Sequence, residues 1–186
     1  MKFLLIAAVV GLALTAPIFA NDACSADAIP KGKSYPKKFP TSNFGHAHCH
    51  IAYDTIEGTT CHDVIESLLT TIEAWQPEED THGFYNLHSC HETEGDLNYV
   101  WAYRLTGDKK YTDDLVYTLE DKENSCHIEG QSRSQSASYW DFYTNFCNIR
   151  NPLEKQIPDL LAERKVGKCG FKPKNHDEEV KECALH

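Results

Sequence analysis

The clearest pattern in the chain is an apolar stripe between Cys61 and Trp75, where apolar side chains recur at three- and four-residue intervals. Such spacing is typical of one face of an α-helix. A threonine at 59 or 60 can serve as the N-cap, Asp63 lies in the first turn, where the helix dipole favours an acid, and Pro77 ends the pattern. The sequence therefore predicts an amphipathic helix over this segment.

Beyond a polar loop at 78–83 the hydrophobic period changes to two, which is typical of strands with one buried face. The most regular segment carries large side chains on a single face: Leu97, Tyr99, Trp101, Tyr103 and Leu105. The alternation and the turns between segments predict four strands, over 84–91, 97–105, 111–120 and 126–135, and then an extended stretch over 139–149.

One helix followed by consecutive strands is typical of an α+β domain in which the helix covers one face of the sheet. We expect a single core domain over 46–151, with one amphipathic helix packed on an antiparallel sheet of four or five meander strands. Residues 152–186 form a tail, in which we expect a short helix around Ile157, Leu160 and Leu161, a lysine-rich loop and a polar helix near 177–183.

The first 20 residues have the features of a secretory signal peptide. Lys2 gives a positive start, residues 3–14 carry no polar side chain, and small residues follow at Ala16 and Ala20. Cleavage after Ala20 is favoured, because cleavage after Ala16 would place Pro17 next to the scissile bond. The apolar run is shorter than the roughly 20 residues of a membrane span, so we expect a secreted, extracellular protein without such a span.

Residues 21–45 differ from the rest of the chain in containing three prolines and four lysines without periodic apolar positions. This composition predicts an extended, solvated arm. Its basic charge also suits contact with an anionic glycan, a mineral or a membrane surface.

All eight cysteines follow the predicted cleavage site: Cys24, Cys49, Cys61, Cys90, Cys126, Cys147, Cys169 and Cys183. An even number of cysteines in an exported chain predicts four disulfide bonds, whose pairing the spacing leaves open. A thiolate zinc site is disfavoured, because the sequence contains no Cys-x-x-Cys. We therefore expect the α+β domain to be braced by disulfides.

The net charge of −10 argues against nucleic acid as the main partner, because phosphate backbones are bound by concentrated lysine and arginine. The sequence also lacks Gly-x-Ser-x-Gly, a P-loop and a dinucleotide-binding glycine pattern. These features favour a non-enzymatic binding module or an extracellular structural or matrix module. Its expected partner is a small molecule, a glycan or a matrix component.

Histidines supply the candidate metal ligands. His46, His48 and His50 alternate, so an extended backbone places all three imidazoles on one face, while His88 and His91 lie on the first predicted strand. Imidazole clusters suit Zn²⁺ or Cu²⁺, which makes a metal-binding protein or a metal-dependent hydrolase the alternative function. The competing interpretation is a set of surface or packing imidazoles without any cofactor. The spacing of three between positions 88 and 91 supports it, because such residues point to opposite faces of a strand.

A set of polar residues in the later strands forms the candidate ligand row: Asp113, Asp114, Arg133, Asp141 and Asn145. The structural interpretation is a cross-strand ion pair from Arg133 to Asp113 or Asp114, with Asp141 and Asn145 bonding their own backbone at a turn. The functional interpretation is a row that binds an anion or a sugar.

Three short motifs carry a resemblance to a known family. Tyr111-Thr-Asp-Asp-Leu-Val-Tyr117 is followed by Ser132-Arg-Ser-Gln-Ser-Ala-Ser138 and by Asp141-Phe-Tyr-Thr-Asn145. Over residues 59–150 this order resembles the small bacterial and algal proteins catalogued as domain of unknown function 1499. The resemblance implies a helix, a hairpin, a strand with an acidic pair, an Arg/Ser strand and an Asp-x-x-x-Asn turn, and it implies no particular activity.

The agreement with this family differs between motifs. The acidic pair and the Asp-x-x-x-Asn turn match directly, whereas the strand containing Arg133 matches only with one inserted residue, for which a β-bulge is a physical cause. Ser138 and Tyr143 stand where the family has glycine, and the family is not rich in cysteine.

Overall fold

The structure is a computed structural model of the 186-residue chain. It describes residues 24, 29, 33–41, 44–75, 84–93, 96–106, 110–184 and 186. The predicted signal peptide over 1–20 lies outside these residues.

The described chain forms one antiparallel sheet and three α-helices. In chain order the elements are β1 (His48–Thr55), α1 (Cys61–Ala74), β2 (Phe84–His91), β3 (Asn98–Leu105), β4 (Thr112–Asp121), β5 (Cys126–Ser134), α2 (Thr144–Glu154), β6 (Leu161–Val166) and α3 (His176–Cys183). The strand order is β2-β3-β4-β5-β1-β6. The predicted α+β class and antiparallel sheet are confirmed, but the predicted four or five strands are wrong, and so is the single helix predicted for the core domain.

Helix α1 begins where the sequence predicts, because Thr60 and Asp63 form a capping box. The Thr60 hydroxyl accepts a hydrogen bond from the Asp63 amide at 3.2 Å, and the Asp63 carboxylate accepts one from the Thr60 amide at 2.9 Å. These bonds satisfy two amides that a helix start leaves without partners. The apolar stripe then packs on the sheet, chiefly over β2 and β3.

The extended stretch predicted over 139–149 is wrong, because most of it belongs to α2. Phe146, Ile149 and Leu153 are buried at the three- and four-residue spacing of a helix and contact the sheet. The chain enters α2 through Phe142 and Tyr143, whose φ angles are +48° and +70°. This left-handed turn separates the exposed side chain of Phe142 from the buried face of the helix.

Strands β1 and β6 complete the sheet beyond the meander. β1 buries every second residue, including Cys49, Ile51 and Tyr53, whereas the interior of β6 is exposed. A short 3₁₀ turn over Pro158–Leu160 and β6 replace the helix predicted around these positions. An edge strand pairs on one side only and tolerates charge on both faces, so β6 lacks the alternation that identifies a strand.

The sheet has two differently covered faces. The helices cover one face, and a smaller cluster on the other face contains Tyr99, Trp101, Val116 and Phe39, which comes from the proline- and lysine-rich segment. Phe39 packs edge-on against Trp101 with 5.4 Å between ring centroids. The described part of the predicted solvated arm therefore contributes to packing.

Four disulfide bonds brace the fold, as predicted: Cys24–Cys90, Cys49–Cys169, Cys61–Cys126 and Cys147–Cys183. Two of them join the C-terminal tail to β1 and α2. Within the described residues, no helix combines the length and the apolar character that crossing a bilayer requires.

Ion pairs also hold the tail against the body. Arg164 on β6 donates to Glu179 on α3 through its two terminal guanidinium nitrogens, Nη1 and Nη2, at 2.7 and 2.9 Å, and Arg150 on α2 donates to the same carboxylate at 2.6 Å. The carboxylate of Glu154 forms ion pairs with Arg164 at 2.8 Å and with Arg150 at 3.1 Å. Two arginines and two glutamates thus connect α2, β6 and α3.

The strand registers contain irregularities at the sheet's periphery. The β2–β3 register shifts between Leu87 and Ser89, and the β1–β6 register shifts between Asp54 and Thr55. β5 pairs continuously with β4 and with β1, so the β-bulge suggested near Arg133 by the family resemblance is not found in this strand.

Candidate functional site

A row of polar residues crosses four strands on the helix-covered face. Tyr85 pairs with Arg104, Arg104 with Asp113, and Asp113 with Ser134. All four residues are buried, and Asp113 lies two positions before the core residue Leu115 on the same face. We call this row, with the residues that hydrogen-bond to it, the polar cluster: Tyr85, Arg104, Asp113, Ser132, Ser134, Asp141, Asn145 and Asn148.

Helix α2 covers the polar cluster with two asparagines. The Asn148 amide donates to Asp113 Oδ2 at 2.9 Å and to Ser132 Oγ at 3.1 Å. The Ser132 hydroxyl in turn donates to Asn145 Oδ1 at 2.7 Å, and the Asn145 amide donates to Asp141 Oδ2 at 2.9 Å. The start of α2 is thereby fixed to the ends of β4 and β5.

Asp141 shapes the turn that precedes α2. Its carboxylate accepts a hydrogen bond from the backbone amide of Asn145 at 3.2 Å, and its carbonyl accepts from the Thr144 hydroxyl. The neighbours of Asp141 in sequence, Trp140 and Phe142, point to solvent. One buried carboxylate therefore holds a loop whose flanking side chains are aromatic and exposed.

The electrostatics of the polar cluster are dominated by burial. Burial raises the pKa of Asp113 above its ordinary value, although hydrogen bonds from Ser134 and Asn148 and the charge of Arg104 oppose the shift. Burial also raises the pKa of Tyr85 to about 12. The pKa of His186 is lowered, mainly by burial and to a smaller extent by the charge of Arg104.

Tyr85 Oη, Asp141 Oδ1 and Asn148 Oδ1 are buried atoms of the polar cluster that have no hydrogen-bond partner among the described residues. Two of them are acceptors, and the tyrosine hydroxyl can donate or accept. Buried polar atoms of this kind ordinarily bond to internal water. Each of these atoms can therefore bind a small hydrogen-bonding molecule, of which water is the simplest.

The hydroxyl of Tyr117 on β4 also holds α2 in place above the polar cluster. Pro152 cannot donate a backbone hydrogen bond to the carbonyl of Asn148. The buried Tyr117 hydroxyl lies 3.3 Å from that carbonyl and donates to the carbonyl of Ile149 at 2.9 Å. The helix also lies so close to β5 that a Cβ on Gly130 would overlap Cγ2 of Ile149.

The predicted ligand row is divided by the sheet. Asp113, Asp141 and Asn145 meet in the polar cluster, whereas Asp114 and Arg133 pair across β4 and β5 on the opposite face. The register places Asp114 opposite Arg133, and the carboxylate of Asp141 bonds the backbone amide of Asn145 at the turn, while the cross-strand ion pair itself stays a prediction. Binding of an anion or a sugar along the row stays a prediction.

The candidate metal ligands are also divided. β3, β4 and β5 separate β2, which carries His88 and His91, from β1, which carries His48 and His50. Within the described residues, no three His, Cys, Asp or Glu side chains are grouped to hold a metal ion. Zinc or copper binding by the histidines stays a prediction.

Individual contacts of these histidines are local. His46 Nδ1 lies 2.8 Å from the Ser134 carbonyl, and the ring of His88 stacks on Trp101 with 3.9 Å between centroids. These contacts fit the interpretation as packing imidazoles.

Exposed aromatic side chains collect at one end of the sheet, beside the polar cluster. Tyr139, Trp140 and Phe142 are 75%, 71% and 73% exposed, and Phe44 is 93% exposed. The amide of Ser138 donates to the carbonyl of Gly45 at 3.0 Å, and the ring of Trp140 lies 5.3 Å from that of Phe171. We call this group the aromatic end: Phe44, Tyr139, Trp140, Phe142 and Phe171.

Three segments that contribute to the aromatic end lack acidic residues, although the protein is acidic overall. Residues 44–53, 130–140 and 164–176 contain no aspartate or glutamate. The last of them carries one arginine and four lysines: Arg164, Lys165, Lys168, Lys172 and Lys174. An exposed apolar patch with a charged border is typical of an interaction surface.

The aromatic end was absent from the sequence-based candidates, because Trp140 and Phe142 alternate as strand residues do. A usable signal was Asp141, a turn former placed between them, followed by helical spacing from Phe146 onward. Comparison with family models, with curated proteins and with solved structures finds no significant match.

Proposed function

We propose that this chain is an exported, disulfide-braced, non-enzymatic binding module whose aromatic end contacts an anionic extracellular partner. The observation that carries the proposal is the exposure of three aromatic side chains, Phe44, Tyr139 and Trp140, within acid-free segments of a protein with a net charge of −10. The signal-peptide pattern and the four disulfides support export.

In this proposal the polar cluster is the scaffold of the binding surface. Asp141 lies between the exposed Trp140 and Phe142, and its carboxylate is held by Asn145 beneath them. A loop that is ordered before binding loses little conformational entropy when a partner arrives. The buried hydrogen bonds thus support affinity at a surface that they do not form themselves.

We also propose that the chain belongs to the family catalogued as domain of unknown function 1499. The order α1, β2–β3 hairpin, β4 with its acidic pair, β5 and the turn at Asp141 follows the family pattern. Tyr143 supports the assignment in a different way. It adopts a φ of +70°, a conformation that favours glycine, at a position where the family has glycine.

The test uses the secreted protein and two anionic probes, heparin and vesicles containing phosphatidylserine. We expect the protein to bind at least one probe at low ionic strength and to be released by salt, because screening weakens contacts between exposed charges. Replacement of Trp140 by serine should weaken that binding by about fivefold or more, since an amphipathic aromatic anchor is lost.

The matched control is Ile56→Ser, which removes another exposed apolar side chain at the far end of β1. It should leave binding unchanged. The proposed function would be contradicted if the protein bound neither heparin nor the vesicles. It would also be contradicted if the substitutions at Trp140 and Ile56 weakened binding equally.

A further inference from the structure

We infer that the anionic partner is a lipid bilayer surface, into whose interfacial region the aromatic end inserts. This inference rests on the proposed function and specifies its partner. It concerns docking at the surface, with the folded domain remaining outside the hydrocarbon core.

The phenylalanines distinguish a lipid surface from a glycan. Phe44 and Phe142 are 93% and 73% exposed and carry no hydrogen-bonding group. Sulfated glycans are bound through charge and hydrogen bonds, which phenylalanine does not supply. Side chains of this kind gain free energy when they leave water for the boundary between headgroups and acyl chains.

Tyrosine and tryptophan in the same group suit the same location. Tyr139 and Trp140 each combine an apolar ring with one polar group, which is why these residues are enriched at membrane interfaces. The Trp140–Phe171 contact and the Ser138–Gly45 hydrogen bond hold three separate segments together. The aromatic end is therefore a fixed part of the folded protein.

The lysines supply charge complementarity. Lys168, Lys172 and Lys174 are exposed and lie on both sides of Phe171 in the sequence. A lysine close to an anionic membrane surface raises affinity by about fivefold. Phenylalanine flanked by lysines resembles the composition of interfacial anchors, in which rings enter the membrane and ammonium groups remain at the headgroups.

Trp140 provides a direct reporter of insertion. The chain has three tryptophans, and the other two, Trp75 and Trp101, are only 7% and 6% exposed. A shift of tryptophan emission to shorter wavelength on vesicle binding would therefore come from Trp140. Lipids brominated near the headgroup should quench it more than lipids brominated deep in the acyl chain, because insertion is shallow.

The experiment compares vesicles of phosphatidylcholine with vesicles in which about one third of the lipid is phosphatidylserine, by co-sedimentation and by emission. We expect binding and the emission shift with the anionic vesicles only. Lys172→Glu should weaken binding by about tenfold or more, since it reverses a charge at the surface. Lys122→Glu makes the same change beside Glu120, in the turn between β4 and β5, and should have little effect.

The outcomes separate this inference from the proposed function. Binding to heparin without binding to vesicles would overturn the lipid inference and leave the proposed function standing. Equal binding to both kinds of vesicle, or binding without an emission shift, would also overturn it. Binding to neither heparin nor vesicles would overturn both.

Discussion

Two buried carboxylates, Asp113 in the polar cluster and Glu179 at the tail, have pKa values that are shifted in opposite directions. The pKa of Asp113 is raised above its ordinary value, and that of Glu179 is lowered. Both side chains are removed from water, which disfavours the charged form in each case. The difference therefore comes from their partners.

Glu179 lies between two guanidinium groups. Burial raises its pKa, but the hydrogen bonds and charges of Arg164 and Arg150 outweigh burial and lower it overall. Asp113 is held mainly by the neutral side chains of Ser134 and Asn148, and the nearby Asp141 opposes the charge of Arg104. Hydrogen bonds from neutral groups do not compensate burial as two cations do.

The two residues therefore contribute to stability in opposite pH ranges. The lowered pKa of Glu179 gives a contribution that is present above the pKa of an unfolded glutamate, about 4.3, and is lost as the pH falls through the folded pKa. The raised pKa of Asp113 gives a contribution that is full below the pKa of an unfolded aspartate, about 3.9, and is lost as the pH rises through the folded pKa.

The largest effect should follow from Glu179→Gln. At pH 7 we expect the free energy of unfolding to fall by about 3 kcal/mol, because Arg150 and Arg164 lose a shared charged partner. The loss should shrink as the pH falls and wild-type Glu179 becomes protonated. Denaturant unfolding at several pH values measures both effects. The control is Glu182→Gln on the same helix, at a surface pair with Lys181; an equal loss there would show that the arginines are not the cause.

An intermediate effect is expected from Tyr117→Phe, which removes only a hydroxyl from the layer between β4 and α2. The variant leaves buried carbonyls of α2 without their donor, and the cost should be about 1–3 kcal/mol. Tyr103→Phe is a suitable comparison, because Tyr103 lies on β3 and is only half-buried. Thermal unfolding that gives the same midpoint for both variants would contradict the role of Tyr117.

The smallest effect at neutral pH should come from Asp113→Asn. The amide keeps an acceptor for Asn148 and removes the burial of a charge, so the free energy of unfolding should change by less than about 1 kcal/mol at pH 7. The variant should also lack the fall in stability that the wild type shows as Asp113 ionises. Asp113→Ala removes the acceptor as well and should cost about 2 kcal/mol. Similar losses for the two substitutions would argue that Asp113 acts through its charge.

Local sequence patterns predicted those elements whose determinants lie within the element itself. The capping residues and apolar stripe predicted α1, and alternation predicted β2 with its observed bounds. β6 could not be predicted in this way, because its strand conformation depends on pairing with β1, more than one hundred residues earlier. The disulfide pairing was out of reach for the same reason, since each bond joins distant segments.

The residues of the candidate site divide in the same way, into those that a local pattern identifies and those whose position depends on contacts distant in sequence. Asp113, Asp141 and Asn145 were identifiable as polar residues in strand and turn positions. Tyr85 and Arg104 were missed, because their place in the polar cluster follows from the register of neighbouring strands rather than from a motif. Asn148 was missed because the segment that contains it was predicted as extended and is helical.

The two edge strands of the sheet, β2 and β6, are protected against further strand pairing in different ways, which affects how copies of the protein associate. β6 exposes consecutive charged side chains, and the register of β2 shifts at Leu87. Charge and irregular pairing both hinder the addition of a further strand, the step by which sheets join into fibres. Both edges of the sheet are in this way guarded against the polymerisation of the protein through its own strands.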